Sequence, residues 1–345
     1  MAFTMHSHSG QFCPGHAVDS LEAIVQHAIS LGFETVGLTE HMPRYDERDL
    51  YPEEVPLFFS PLSPSLPSQH EKQSKQRGLR NPYPKAVKRT DDETAQTTLQ
   101  ALPPRHEAYL SEAMRLREKY ESKVGILIGF EAEFIRPDYA PRVRDLASDR
   151  RVDYFIGSLH HVHGLPIDYD AGFYADAVAA SSSSSSSSSG AGEEGLYRDY
   201  YDLQYEMLRA LKPRVVGHFD LVRLLSADPG RDVSRLPAVW ERIVRNLHLV
   251  ASQGAWLECN TAALRKGLDE PYPCRVIAQK WLSMGGKFTI SDDSHGVAQV
   301  ATNYARGISY LESLGVESVW TLERRQNATL REKSVPLTEF RKHFP

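Results

Sequence analysis

The sequence predicts an α/β fold, a closed TIM-like barrel of parallel strands, on three observations. Short β-branched runs alternate with amphipathic stretches along nearly the whole chain, giving seven or eight β-α units. The 345 residues, 41% hydrophobic, can bury one large core without disulfide or metal staples. His and carboxylate residues gather where the predicted strands end, the rim at which such barrels place their active sites.

Ala2–Met5 reads as the first strand. In DSLEAIVQHAISLG, Asp19 can cap a helix with Glu22 three residues later, Leu21, Ile24, Val25, Ala28 and Ile29 form one apolar face, and Gly32 supplies the stop. Glu34–Thr39 is the second strand. Val124–Phe130, Asp153–Gly157, Val215–Gly217, Ala255–Glu258, Lys287–Ile290 and Ser318–Thr321 continue the series. Helical patterns separate them at Arg105–Glu121, Leu196–Leu211, Leu236–Ser252, Tyr272–Met284 and Val297–Leu314. Two segments break the rhythm. Residues 46–104, rich in Pro, Ser, Gln and charge, read as a long insertion after the second strand. The run Ser181–Ser189, inside a second insertion at 179–195, reads as neither strand nor stable helix. Both are expected to be solvated linkers within a single domain spanning 1–345.

A net charge of −5 and the lack of a basic track disfavour nucleic acid and an anionic membrane as partners. No run approaches the roughly 18 apolar residues of a membrane span. The start MAFTMHSHSG has neither the basic end nor the apolar core of a signal peptide, and Cys13, Cys259 and Cys274 form no CxxC pair, so a cytoplasmic location is expected. With 14 His against 3 Cys, any metal site would use imidazole and carboxylate ligands.

Position sharpens that expectation. His6 and His8 follow strand one; Glu40 and His41 follow strand two; Glu131 and Glu133, strand three; His160, His161 and His163, strand four. His218 and Asp220 follow strand five, Glu258 and Asn260 strand six, and Asp292, Asp293 and His295 strand seven. Alternation along an extended chain puts both imidazoles of the HxH pair on one side, where they can chelate one ion. An isolated HxH or strand-end carboxylate would carry little weight; recurrence at seven successive strand ends points to a metal site.

In wording and order, MHSHSG with its downstream His16, LTEH, IGFEAEF, IGSLHHV, VGHFDLVR, LECNTAALRK and ISDDSH resemble the polymerase and histidinol phosphatase (PHP) family of metal-dependent phosphoesterases. The motifs run from residue 5 to residue 295, and IGSLHHVHGLPIDYD, GHFDLVR and ECNTAALRK look most like its histidinol-phosphatase branch, fungal members especially. The resemblance implies a distorted (β/α)7 barrel, the PHP fold, holding three divalent ions of zinc, iron or manganese. One ion would take His6, His8, Glu131 and Asp293; Glu131 would bridge to a second bound by His160 and His218; a third would use His16, His41 and His295. Two positions stay open. His16 stands in CPGHA, slightly later than the family spacing, and Asp292 competes with Asp293.

The implied reaction is hydrolysis of L-histidinol phosphate by a metal-bridging hydroxide, with Glu131, Asp293 and His295 catalytic. Such a dianion repels hydroxide and hydrolyses very slowly unaided, which clustered cations overcome. Arg223 and Arg265 are the candidate phosphate ligands, because a guanidinium fork binds two oxygens at once. His161 is a candidate substrate contact, and Asp168 or Asp170 could meet the substrate's ammonium group. A PHP phosphoesterase with another substrate and a catalytically dead metal-binding protein are the alternatives; the acidic charge opposes a nuclease, and the full ligand set opposes the latter.

Overall fold

The computed structural model describes residues 1–54, 92–184, 192–325 and 329–344. Seven strands form one parallel sheet: β1 (Ala2–Thr4), β2 (Phe33–Leu38), β3 (Gly125–Glu133), β4 (Tyr154–Ser158), β7 (Val215–Val216), β8 (Trp256–Asn260) and β9 (Phe288–Ser291), in that order. Two short strands, β5 (His161–Val162) and β6 (Leu165–Pro166), form an antiparallel hairpin between β4 and β7. The sheet nearly closes: beyond β1 and β9, Ser7 bridges Ser294 in parallel and the His8 N–H donates to the Ser294 carbonyl at 2.7 Å. The strands are buried almost throughout, as expected where helices cover the outside of a barrel and side chains fill the inside. The expected seven-stranded barrel is therefore what forms.

The wrapping elements are α1 (Leu21–Ser30), α2 (Asp92–Lys119), α3 (Tyr139–Ala147), α4 (Ala171–Ser184), α5 (Glu193–Leu211), α6 (Pro237–Ser252), α7 (Ala262–Arg265), α8 (Arg275–Ser283), α9 (Tyr304–Ser313) and α10 (Leu337–Arg341). Tyr154 donates to the Met5 carbonyl at 2.6 Å, and a Cβ on Gly37 would lie 2.1 Å from that hydroxyl and 2.9 Å from Met5 Cα, a close approach that glycine allows.

Several boundaries differ from the sequence reading for identifiable reasons. Ser20, not Asp19, caps α1, accepting from the Ala23 N–H; Asp19 instead adopts φ 69° and accepts from the Val297 N–H at 2.8 Å, joining α1 to the segment after β9. Residues 92–104 belong to α2 despite Pro103 and Pro104, so the insertion is shorter than 46–104 at its far end. At its near end Glu47–Asp49 and Pro52–Glu54 are short 3-10 turns fixed to the body of the protein, and 55–91 lie outside the described residues. The serine run is not wholly unstructured: α4 continues through Ser184, with Ser182 donating to the Val178 carbonyl, while 185–191 lie outside the described residues. Within the 179–195 segment, Glu193 opens α5 and accepts from Ser226 and Ala227. Ser318–Thr321 is a strand but not of the barrel; it pairs antiparallel, as β10 (Ser318–Arg324), with β11 (Leu330–Pro336).

Candidate metal centre and its cavity

Beyond the C-terminal ends of the strands the chain stays extended, and this is what aims the polar residues. After β1, Ser7 is held from two sides: its N–H donates to Thr39 Oγ1 at 3.0 Å and its carbonyl accepts from the Thr39 N–H at 3.1 Å. The Ser7 hydroxyl turns to the Gly37 carbonyl, and alternation leaves His6 and His8 together on the other side, ring centroids 4.9 Å apart. After β2 the ladder likewise continues, with Glu131 N–H donating to Glu40 and Met42 N–H to Glu131, which sets His41 beside Glu131.

Glu131, 1% exposed, lies at the middle of the cluster. Its Oε2 is 3.3 Å from His6 Nε2, 3.4 Å from His8 Nε2 and 3.0 Å from His41 Nδ1; its Oε1 is 2.9 Å from His218 Nε2 and 3.5 Å from His160 Nε2. Asp293 Oδ1 approaches His8 Nε2 at 3.3 Å and His6 Nε2 at 3.6 Å, from a residue in the left-handed region at φ 48°. A non-glycine residue held there costs about 1–3 kcal/mol, which is expected where position matters more than stability.

Three sets of donor atoms converge, within each of which all atoms lie within 4.8 Å of one another: His6, His8 and Asp293; Glu131, His160 and His218; His8, His41 and His295. Buried nitrogens normally find hydrogen-bond partners, yet His6 Nε2, both nitrogens of His8 and of His41, and His295 Nε2 have none. Imidazole nitrogens left without partners and gathered around the carboxylates of Glu131 and Asp293 fit divalent cations. Burial pushes the Glu131 carboxyl up, but His6, His160 and His41 outweigh it and hold the group well below the usual range. Burial, reinforced by the neighbouring His41, drives His8 down to about 3. His41 itself, against its own burial, is raised to about 10 by Glu131 and Glu133.

The remaining expected ligands and contacts divide. His16 is partly exposed and lies outside the three sets, its ring 4.6 Å from His295 and its Nδ1 3.3 Å from Glu53. Asp292 faces backbone, accepting from the Ser294 and Ala301 N–H groups, whereas Asp293 lines the cavity. The cavity itself, about 350 Å³, opens over the cluster. Arg265 and Lys266 line it, the Arg265 guanidinium donating to the carbonyls of Asp292 and Asp293 at 2.8 and 2.9 Å, and so does Asp168, whose Oδ1 is buried without a partner.

Two expected substrate contacts are not on this wall. Arg223 is 5% exposed and donates to Asp220 at 2.9 Å and to the Glu270 and Pro271 carbonyls, bordering a different surface hollow. Its fork is already occupied by protein acceptors. His161 is taken into the β5–β6 hairpin, whose His163-Gly164 turn has two positive φ angles, and lies buried off the cavity wall with burial driving it to about 3.

Other residues that shape the site had gone unassigned. Glu258 Oε1 accepts from Ser291 and from His6 Nδ1 at 2.8 Å, while Oε2 accepts from the His218 N–H and Asn260 Nδ2, both at 3.0 Å. It fixes which His6 nitrogen faces Glu131, and its place at a strand end was visible though its role was not. Arg44 pairs with Glu133 on the cavity wall, and Tyr51 stands beside it; only tertiary contacts reveal either.

The chain is 35% identical over 325 residues, 94% of this chain and 90% of the relative, to a protein of Schizosaccharomyces pombe named as a histidinol-phosphatase. It is 29% identical over 366 residues, 97% of this chain and 96% of the relative, to the histidinol-phosphatase of Saccharomyces cerevisiae. A crystal structure of histidinol phosphate phosphatase from Lactococcus lactis, complexed with Zn, L-histidinol and phosphate, matches in fold with a TM-score of 0.59 at 18% identity, covering 92% of this chain and 95% of that one. The PHP domain profile matches residues 4–262, from the first strand past the end of β8, and the chain belongs to the PHP domain family.

Proposed function

We propose that this chain is a phosphomonoesterase that hydrolyses L-histidinol phosphate to L-histidinol and orthophosphate, a step of histidine biosynthesis. The observation that carries the reading is the set of partnerless imidazole nitrogens gathered around the buried carboxylates of Glu131 and Asp293, in a chain that is similar to the fungal histidinol-phosphatases over almost its whole length.

The residues fit three divalent ions, of zinc, iron or manganese. His6, His8, Asp293 and Glu131 would hold one, Glu131, His160 and His218 a second, and His41 and His295 a third with His8 or His16 completing it. When bound, such ions offset the charge of the phosphate dianion and lower the pKa of water. The chain's own side chains do the rest. Arg265 is placed to orient phosphoryl oxygens, since its guanidinium is anchored on two carbonyls and borders the cavity. Glu258 holds the His6 ring through its Nδ1 and the His218 backbone through its N–H. Asp293 and His295, 3.7 Å apart, both face the cavity and are the groups we assign to exchange a proton with the leaving alkoxide. A cytoplasmic location is part of this reading, supported by three free, buried cysteines and by the absence among the described residues of any helix long and apolar enough to cross a membrane.

Phosphate release from L-histidinol phosphate, nucleoside monophosphates and simple alkyl phosphates tests the reading. A kcat/KM for L-histidinol phosphate well above the others is expected; equal values would overturn the substrate assignment.

A further inference from the structure

The cavity has a second wall that the metal cluster and Arg265 do not explain. It is built by the root of the first insertion and by the residues just after the β5–β6 hairpin: Tyr51, Tyr169 and Asp168. In the sheet order these follow β2 and β4, the two neighbours of β3, whereas Arg265 and Lys266 follow β8. The two walls enter the cavity from different sides of the rim, and Glu131, at the end of β3, stands on the side of the second wall.

The second wall is firm. The segment that carries Tyr51 is tied down at each side: Asp49 accepts from Arg136 and from the Tyr139 hydroxyl, both at 2.6 Å, and the Tyr51 N–H donates to Glu54 at 2.8 Å. Gly15 sits against it so closely that a Cβ there would be 2.8 Å from the Glu53 carbonyl oxygen. The Tyr51 and Tyr169 rings are 5.9 Å apart at 36°, and the Tyr51 ring is 5.2 Å from that of His161. Beside them Asp168 Oδ1 is buried with no hydrogen-bond partner. A buried carboxylate oxygen left unanswered is costly, and the cost is recovered when a ligand donates to it.

Aromatic faces next to an unanswered carboxylate match one ligand chemistry, a small cation carrying a flat ring. We propose that Tyr51, Tyr169 and Asp168 form the subsite for the organic end of the substrate, Asp168 receiving its ammonium group and the two tyrosines enclosing its imidazole, and that Tyr51 makes the root of the insertion a specificity-determining element. This deepens the reading given above and rests on it. The phosphate end is held on the far wall, so this subsite governs which phosphate ester is chosen rather than whether phosphate is cleaved.

The readout is a discrimination ratio: kcat/KM for L-histidinol phosphate divided by kcat/KM for n-butyl phosphate, which has neither ammonium nor ring. It is measured in the metal-loaded protein and in the variants Tyr51→Leu, Asp168→Asn and Asp168→Glu. Losing a charged hydrogen bond or an aromatic contact is expected to lower the ratio about tenfold in Tyr51→Leu and Asp168→Asn, mainly through KM for L-histidinol phosphate, with partial recovery in Asp168→Glu. Inhibition by free L-histidinol should weaken in parallel, more than inhibition by inorganic phosphate. A merely structural role would lower both kcat/KM values together and leave the ratio unchanged, which overturns the subsite. A wild-type ratio near one would instead overturn the substrate reading itself, so the two failures are distinguishable.

Discussion

The two ends of the barrel both bury charge, and they do so in opposite ways. At the N-terminal end, the side chain of Asp153, just before β4, is 1% exposed and every demand it makes is met within the protein: Arg117 and Arg324 pair with its two oxygens, and the Ile128 N–H donates to it at 2.9 Å. At the C-terminal rim the buried imidazoles and carboxylates face one another, and many of their nitrogens have no donor or acceptor of their own. Breaking a buried pair that is already matched costs stability, whereas groups left unmatched have been placed for something that arrives later. The comparison separates the end that secures the fold from the end that performs the chemistry.

The sharpest way to break it is Glu131→Gln. Glu131 touches both halves of the cluster, so bound metal, measured by elemental analysis, should fall and kcat should drop on the order of a thousandfold, about 4 kcal/mol of barrier. A variant that keeps both metal and turnover would refute the assignment of the rim. Glu258→Gln probes the support behind the rim; loss of its bonds to His6 and His218 should cost about 10–100-fold in activity or metal affinity. Arginines offer a paired test. Arg265→Ala should lower kcat/KM about tenfold with metal content intact, while Arg223→Ala, which leaves buried Asp220 without its cation, should lower stability by about 2–3 kcal/mol in denaturant unfolding. If Arg265→Ala instead loses metal, it is a scaffold residue like Arg223. Asp153→Ala should have the smallest effect on catalysis: about 2 kcal/mol less stable because Arg117 loses its partner, with kcat per folded molecule unchanged. A large fall in kcat there would dissolve the division between the two ends.

The sequence made the rim legible because strand alternation and recurrence are local signals: His6 with His8, Glu131 with Glu133, and Asp293 with His295 each occur within three residues of one another. The barrel strands were readable for the same reason. What escaped depends on distant partners. Arg223 looked free in HFDLVR although Asp220, three residues earlier in the same motif, pairs with it, and the Glu270 and Pro271 carbonyls that fill the rest of its fork lie nearly fifty residues away. Pro103 and Pro104 signalled an insertion where α2 in fact runs through them, and Ser318–Thr321 gave a strand signal that could not say which sheet it joins. Tyr51 lay in a stretch whose composition reads as linker, and only its packing against Arg44 and His161 identifies it as a wall of the cavity.

The anchoring of Glu54 has one more consequence. Its carbonyl accepts from Thr98 Oγ1 at 3.5 Å, so the two flanks of the first insertion meet on the body of the protein. Loop length costs little once the ends are joined, since each doubling adds only about 0.6 kcal/mol. Evolution can therefore lengthen, shorten or rewrite the chain between those flanks without disturbing the tyrosine at its root, and a protein engineer has at the same place a natural port for grafting a reporter or a second domain close to the mouth of the cavity.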